Sequence, residues 1–403
     1  MKLSPRPHWA VTRSRVVAVL AGTSCAAAVM ATAGTAAASG PARPGARQAQ
    51  PPAAASGGRI AFSQWDLLPG GNLSGHSNVY VINPDGTGRR QLTHVGAAQA
   101  AGAPDWSADG AKIAYESNQT GDYRIWIMNA DGSGQRLLAS DAPGHSDAQP
   151  RYTPDGRHIV FTRCLPFGEH CAIWIMRSDG THPHLVIPSI ESPNETNNFY
   201  PMVSPDGRRI TYARFGFDGI RAQVWVASID GGHAHPLTAP RLEATQPNWS
   251  PDGSHIAFAS NSDRPQGSIE VMRANGTAVT RLATTKWPTN NFLPAYSPDG
   301  TQIAFSSDRR HPDLCCEDLF VMRADGSQQH LVDTGLQGVI GAAWGTAPLV
   351  PAGSPGTLSR LPAGAHPPGN ARYVMACREL SGRLTSLRCR AFSTGTVLRR
   401  PTP

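Results

Sequence analysis

One phrase, "NWSPDGSHIAF" at 248–258, is spelled five times in this chain. Close copies are "DWSADGAKIAY" at 105–115, "RYTPDGRHIVF" at 151–161, "MVSPDGRRITY" at 202–212 and "AYSPDGTQIAF" at 295–305. Each copy carries an apolar stretch into Pro-Asp-Gly (Ala-Asp-Gly in the first) and an apolar triplet out of it. Proline presets φ at the second turn position, aspartate bonds its own downstream backbone, and glycine takes positive φ. The phrase therefore reads as two strands joined by a tight turn, and its aspartate as turn chemistry rather than a ring of catalytic carboxylates.

A third apolar run follows each triplet, as in "RIWIMN" from Arg124, "AIWIMR" from Ala172 and "QVWVAS" from Gln223. Asp-Gly, or Asn275-Gly276 once, then signals another hairpin, and a short fourth run closes the unit. Successive phrase aspartates stand 46 to 51 residues apart, which is one four-stranded antiparallel sheet per repeat. The runs are apolar on consecutive residues, as in sheets covered on both faces. Small sheets stacked face to face around an axis are propeller blades. The first unit opens at Arg59 on a second strand with no inner strand before it. The last ends on "GAAWG" from Gly341, an inner strand with no second strand after it. The expected fold is all-β: a six-bladed β-propeller with velcro closure of the first blade by a C-terminal strand.

The phrase, followed by Ile-Trp-Ile-Met or a variant and Asp-Gly, resembles the WD-like repeat of TolB-type propellers over Arg59 to Gly345, about 70% of the chain. The best-known member of that family is periplasmic, carries an α/β domain before its propeller, and binds a peptidoglycan-associated lipoprotein. Only residues 39–58, rich in Pro, Ala and Gly, separate leader from blades here. The resemblance thus implies the propeller and its export. Blades of this kind serve many functions.

Residues 1–38 read as a secretory leader: Lys2, Arg6, Arg13 and Arg15, an apolar stretch, and small-residue exits at Ala33 or Ala38. Once the leader is cleaved, no transmembrane span remains. The expected organisation is leader 1–38, linker 39–58, propeller 59–345, a Pro/Gly/Ala-rich linker 346–370 and a basic tail 371–403. Leader and tail contribute +4 and +6 to the formal +7, so the body is about −3. The basic balance lies in the two ends, which leaves nucleic-acid binding without support. Six cysteines follow the leader, an even count that suits disulfides in an exported chain. Cys164 and Cys171 bracket a strand-to-strand connection in the third blade and are expected to pair. For Cys315, Cys316, Cys377 and Cys389 three arrangements stay open: bridges from tail to loop, a vicinal bridge with a separate tail pair, or free thiols. "RYVMACRELSGRLTSLRCRAF" from Arg372 suggests a hairpin about Ser381-Gly382 or a basic tail without structure.

The loops between second and third strands, and between blades, are long and varied, and loops on a rigid scaffold usually carry binding. Gln149, Tyr200, Gln246 and Leu293, early in the inner strands, are the candidate ligand-binding residues at that mouth. His182-Pro-His184 and His233-Ala-His235 lie in short turns of different blades and read as solvated. No Gly-x-Ser-x-Gly, His-Glu-x-x-His, Cys-x-x-Cys or phosphate loop occurs, so no catalytic residue, cofactor or metal is assigned. The expectation is a monomeric exported scaffold for a protein or envelope polysaccharide. The alternative is a carbohydrate-active enzyme, similar to oligogalacturonate lyases, using His76, His145, His170 or His311 at the mouth.

Overall fold

A computed structural model of the protein describes residues 57–67, 73–138, 144–165, 169–190, 196–216, 222–261, 267–283, 289–311 and 317–349, and two tail strands, 373–379 and 387–393. Six four-stranded antiparallel sheets form the six blades. Blades 2 to 6 take their inner strands from Ala101–Trp106, Ser146–Tyr152, Asn197–Val203, Ala244–Trp249 and Asn291–Tyr296. Blade 1 takes Val339–Trp344 as its inner strand, paired antiparallel with Ile60–Leu67. The closure read from the unpaired ends is the one observed.

The consecutive apolar runs are explained by packing. Each second strand is buried on both faces, as in Lys112–Ser117, where only the lysine is exposed. One aromatic per blade (Phe62, Tyr115, Phe161, Tyr212, Phe258 and Phe305) is fully buried in that strand. The core clusters bridge adjacent blades: Ile125 and Ile127 of blade 2 pack with Tyr152, Ile159 and Phe161 of blade 3. Burying a large aromatic or aliphatic side chain stabilises by about 1.5–3 kcal/mol, so neighbouring blades hold each other.

The phrase aspartates make the turns. In blade 5 the Ser250 hydroxyl donates to Asp252 at 2.6 Å, and the Ser254 amide donates to the same oxygen at 3.0 Å. Ser107–Asp109, Thr153–Asp155, Ser204–Asp206 and Ser297–Asp299 repeat the hydroxyl bond at 2.5–2.6 Å. The Ser250 bond holds the Asp252 carboxyl down at about 2. Its contribution is therefore present above pH 4 and lost between about pH 4 and 2.

The latch extends past the expected boundary at Gly345. The Gly345 amide donates to the Arg59 carbonyl at 3.0 Å, the Thr346 hydroxyl donates to the Ala108 carbonyl at 3.1 Å, and Ala347 is fully buried in the blade 1–2 core. The Trp106 indole donates to the Ala343 carbonyl at 3.1 Å. Its ring lies where a Cβ on Gly345 would stand, and the Gly345 carbonyl lies where a Cβ on Gly58 would stand. Only glycine fits at either position.

Cys164 and Cys171 form the expected disulfide, with Cα atoms 4.1 Å apart. Cys315 and Cys316 lie outside the described residues. Among those residues no helix is long and apolar enough to cross a membrane.

Candidate functional site

Every inner strand carries a bulge the sequence did not announce. Ala103, Gln149, Tyr200, Gln246 and Leu293 adopt positive φ of 45–56°, and Gly341 stands at 73° in blade 1. The first five each precede a proline: Pro104, Pro150, Pro201, Pro247 and Pro294. In blade 3, Gln149 and Pro150 together face the single residue Phe161, the two-against-one count of a β-bulge. A proline costs no ladder bond there, because the bulge leaves it unpaired. A non-glycine residue in the left-handed region costs about 1–3 kcal/mol, and something must hold it.

The preceding blade does so. The bulged amides of Ala103, Gln149, Tyr200, Leu293 and Gly341 donate to Ser63 Oγ, Glu116 Oε2, Gln149 Oε1, Gln246 Oε1 and Ser306 Oγ, at 2.8–3.1 Å. Five of the six seams around the axis are thus tied by a side chain reaching forward one blade. Gln149 and Gln246, expected at a ligand mouth, use their carbonyls for this, and Gln149 also accepts from the Thr162 hydroxyl at 3.1 Å.

The inner strands of the blades enclose a cavity of about 340 Å³. Its rim is Pro154, Pro205, Pro251 and Pro298 of the Pro-Asp-Gly turns, with Ala108 and Thr346 in blades 2 and 1. Met202, Ala295, Ala342, Trp249 and Trp344 line its wall, and Tyr200, Gln246 and Leu293 its floor. The cavity therefore opens on the face of the short turns. The sequence placed Tyr200, Gln246 and Leu293 at the long-loop mouth, and Gln149 is not among the lining residues. The reason is geometric: the bulge sits within the strand rather than at its start.

Polar groups interrupt the apolar wall, among them Asn248, Asp105 and Arg151. Asn248 accepts the Tyr296 amide at 3.0 Å, and Asp105 in the equivalent place of blade 2 accepts the Tyr152 amide at 2.8 Å. Arg151 stands 3.8 Å from Asp105 and donates to the Pro104 and Pro150 carbonyls at 3.3 and 3.2 Å. Burial pushes Asp105 up to about 6, against the pull of Arg151, and Glu116 behind it up to about 7.

The opposite face is partly described. His76 Nδ1 lies 2.7 Å from Asp66 Oδ2, and His311 Nε2 lies 3.5 Å from Asp318 Oδ2, each within its own blade. His182 and His233 sit exposed in their turns with positive φ. Among the described residues no group of three or more His, Cys, Asp or Glu side chains gathers as metal ligands. Residues 68–72, 191–195, 217–221 and 312–316, where the expected binding loops are most varied, lie outside the described residues.

Glu317 is the strongest anomaly on that face. It is 2% exposed, and its Oε2 has no hydrogen-bond partner among the described residues. Burial, with Asp308 and Asp318 nearby, pushes its carboxyl up to about 8. A raised carboxyl favours the folded state while protonated, so this group makes stability fall as pH rises from about 4 through 8. Glu317→Gln should stabilise the protein by on the order of 2 kcal/mol at pH 8.5 and by nothing at pH 4. Urea melts at the two pH values check this; an equal effect at both would refute the buried acid.

A closed ring of six blades around an open, largely apolar axial cavity defines a six-bladed β-propeller. Residues 165–347 match the family model described as TolB beta propeller domain. The structure is similar to TolB from Acinetobacter baumannii at 20% identity and a TM-score of 0.57, covering 71% of this chain and 66% of that one. It is also similar to the putative TolB from Agrobacterium tumefaciens at 21% identity and a TM-score of 0.54, covering 72% of this chain and 92% of that one. A curated relative, "Uncharacterized peptidase YuxL" of Bacillus subtilis, is 28% identical over 86 residues, which is 20% of this chain and 13% of that protein. The chain carries a six-bladed β-propeller, similar in fold to those of the TolB proteins.

Proposed function

We propose that the protein is an exported, non-enzymatic binding propeller that takes a segment of a partner protein into the axial cavity on its short-turn face. The cavity carries the reading. It joins a largely apolar wall to a few fixed polar groups, the usual make-up of a recognition pocket. Its prolines and tryptophans are held rigid by the turns and the latch, so little freedom is lost on binding. Arg151 and Asn248 offer donors to the carbonyls of an extended chain. The leader-like residues 1–38 and the Cys164–Cys171 bridge support an oxidising, extracytoplasmic setting.

Ala342 and Met202 line the cavity and are only partly buried. Ala342→Trp fills the cavity and Met202→Glu charges it. Either should lower retention of the partner from solubilised envelope of the native cell at least about tenfold, about 1.4 kcal/mol, with the melting temperature close to that of the parent. Unchanged retention by folded variants would sink the reading. Retention of envelope polysaccharide in place of protein would move the ligand class and keep the site.

A further inference from the structure

Beyond the ring, the structure pairs Tyr373–Glu379 with Leu387–Ser393 as an antiparallel two-stranded sheet. Its register sets Cys377 directly opposite Cys389. We propose that these two residues form a second disulfide, which staples the basic tail into a folded hairpin and leaves Cys315 and Cys316 out of the tail's chemistry.

Three considerations converge. Directly opposed residues of antiparallel strands have Cα atoms about 4.5–5.5 Å apart, inside the range a disulfide spans. A slip of one residue would put the two cysteines on opposite faces of the sheet, so this register is the one that permits the bond. The chain makes the same use of adjacent antiparallel strands at Cys164 and Cys171.

Competition from the loop is weaker. Cys377 and Cys389 are 12 positions apart, whereas Cys377 is 62 from Cys315. Closing the shorter loop costs less chain entropy, and hairpins form on the microsecond scale, so the local pair meets first. A two-stranded hairpin standing alone is only marginally stable in water. The crosslink is what makes it persist, and with it the arrangement of Arg378, Arg388 and Arg390 along the strands.

The chemistry balances by thiol–disulfide exchange. Each cysteine loses a proton, the pair loses two electrons, and one S–S bond forms. An exchange-competent disulfide, in an oxidoreductase or a small dithiol couple, accepts both electrons and becomes two thiols. The same oxidant serves the bridge in blade 3.

Trypsin decides the pairing in the full-length protein. Cleavage after Arg372, Arg378, Arg388 and Arg390 yields Tyr373–Arg378 and the dipeptide Cys389–Arg390. Without reduction the two should elute as one species, lighter by two hydrogens than their sum, and separate on reduction. In the variant Cys377→Ser, Cys389 should go from unlabelled to fully labelled by an alkylating agent, with the labelling of Cys315 and Cys316 unchanged. Alkylation of Tyr373–Arg378 in the unreduced parent overturns the proposal. So does its linkage to the peptide holding Cys315 and Cys316, or a newly labelled loop cysteine in Cys377→Ser.

Discussion

A chain ended after Ile340 should lose most of its stability, because the whole ring depends on the last strand. Val339–Trp344 supplies the inner strand of blade 1, and Trp344 packs among Ile60, Phe62, Leu319 and Val321. Losing a buried tryptophan costs about 3–5 kcal/mol. Removing Ala343 also takes away the carbonyl that the Trp106 indole donates to, and removing Ala347 uncovers the blade 1–2 core. Total stability is typically about 5–15 kcal/mol, so a loss above about 5 kcal/mol in a urea melt is expected. The single change Gly345→Ala should reproduce much of it, since its Cβ would enter the Trp106 ring. A chain ended at Ile340 that melts with the parent would refute the latch.

The second large effect lies in blade 3, beside the disulfide. Asp147 and Arg163 form a two-point ion pair at 2.6 and 2.9 Å, with side chains 3% and 7% exposed. The guanidinium is also stacked over Phe161 and Trp174, at 5.3 and 4.7 Å from their ring centroids. Asp147→Ala removes the carboxylate from a buried cation and should cost about 3–5 kcal/mol. Asp147→Leu with Arg163→Met should recover most of that loss, because both desolvated charges are gone. A double-mutant cycle in urea measures the coupling; additive losses would show that the pair is not a unit.

The repeat made the architecture legible because every blade needs the same turn, and the turn needs the same residues. Ser250, Asp252 and Gly253 recur in kind wherever a hydroxyl, a carboxylate and a positive φ must meet. The disulfide was legible for a related reason: strand pairing sets which cysteines are neighbours. The bulges were not, because the left-handed positions hold Ala, Gln, Tyr, Gln, Leu and Gly, with no side chain in common. Backbone strain and the amide capture by the previous blade select them, and the only trace in sequence is a proline one position later. The cavity was not legible for a subtler reason. Loop variability drew attention to the far mouth, whereas the cavity is built of the repeated residues themselves. Pro251 serves its turn and the rim at once, and repetition disguised the second role. The buried acids Glu116, Asp147 and Glu317 carry no signature either, since burial, not residue type, makes them unusual.

Hydroxyl-radical footprinting of the full-length protein, with and without solubilised envelope from its own cell, tests the central claim most directly. Met202, Tyr200 and Leu293 line the cavity and are only partly buried, and all three side chains react readily with the radical. Protection of these three on adding envelope, with His76 and His311 on the opposite face unchanged, is the predicted result. Protection confined to His76, His311 and the loops beside them, with the cavity residues as reactive as before, would contradict it.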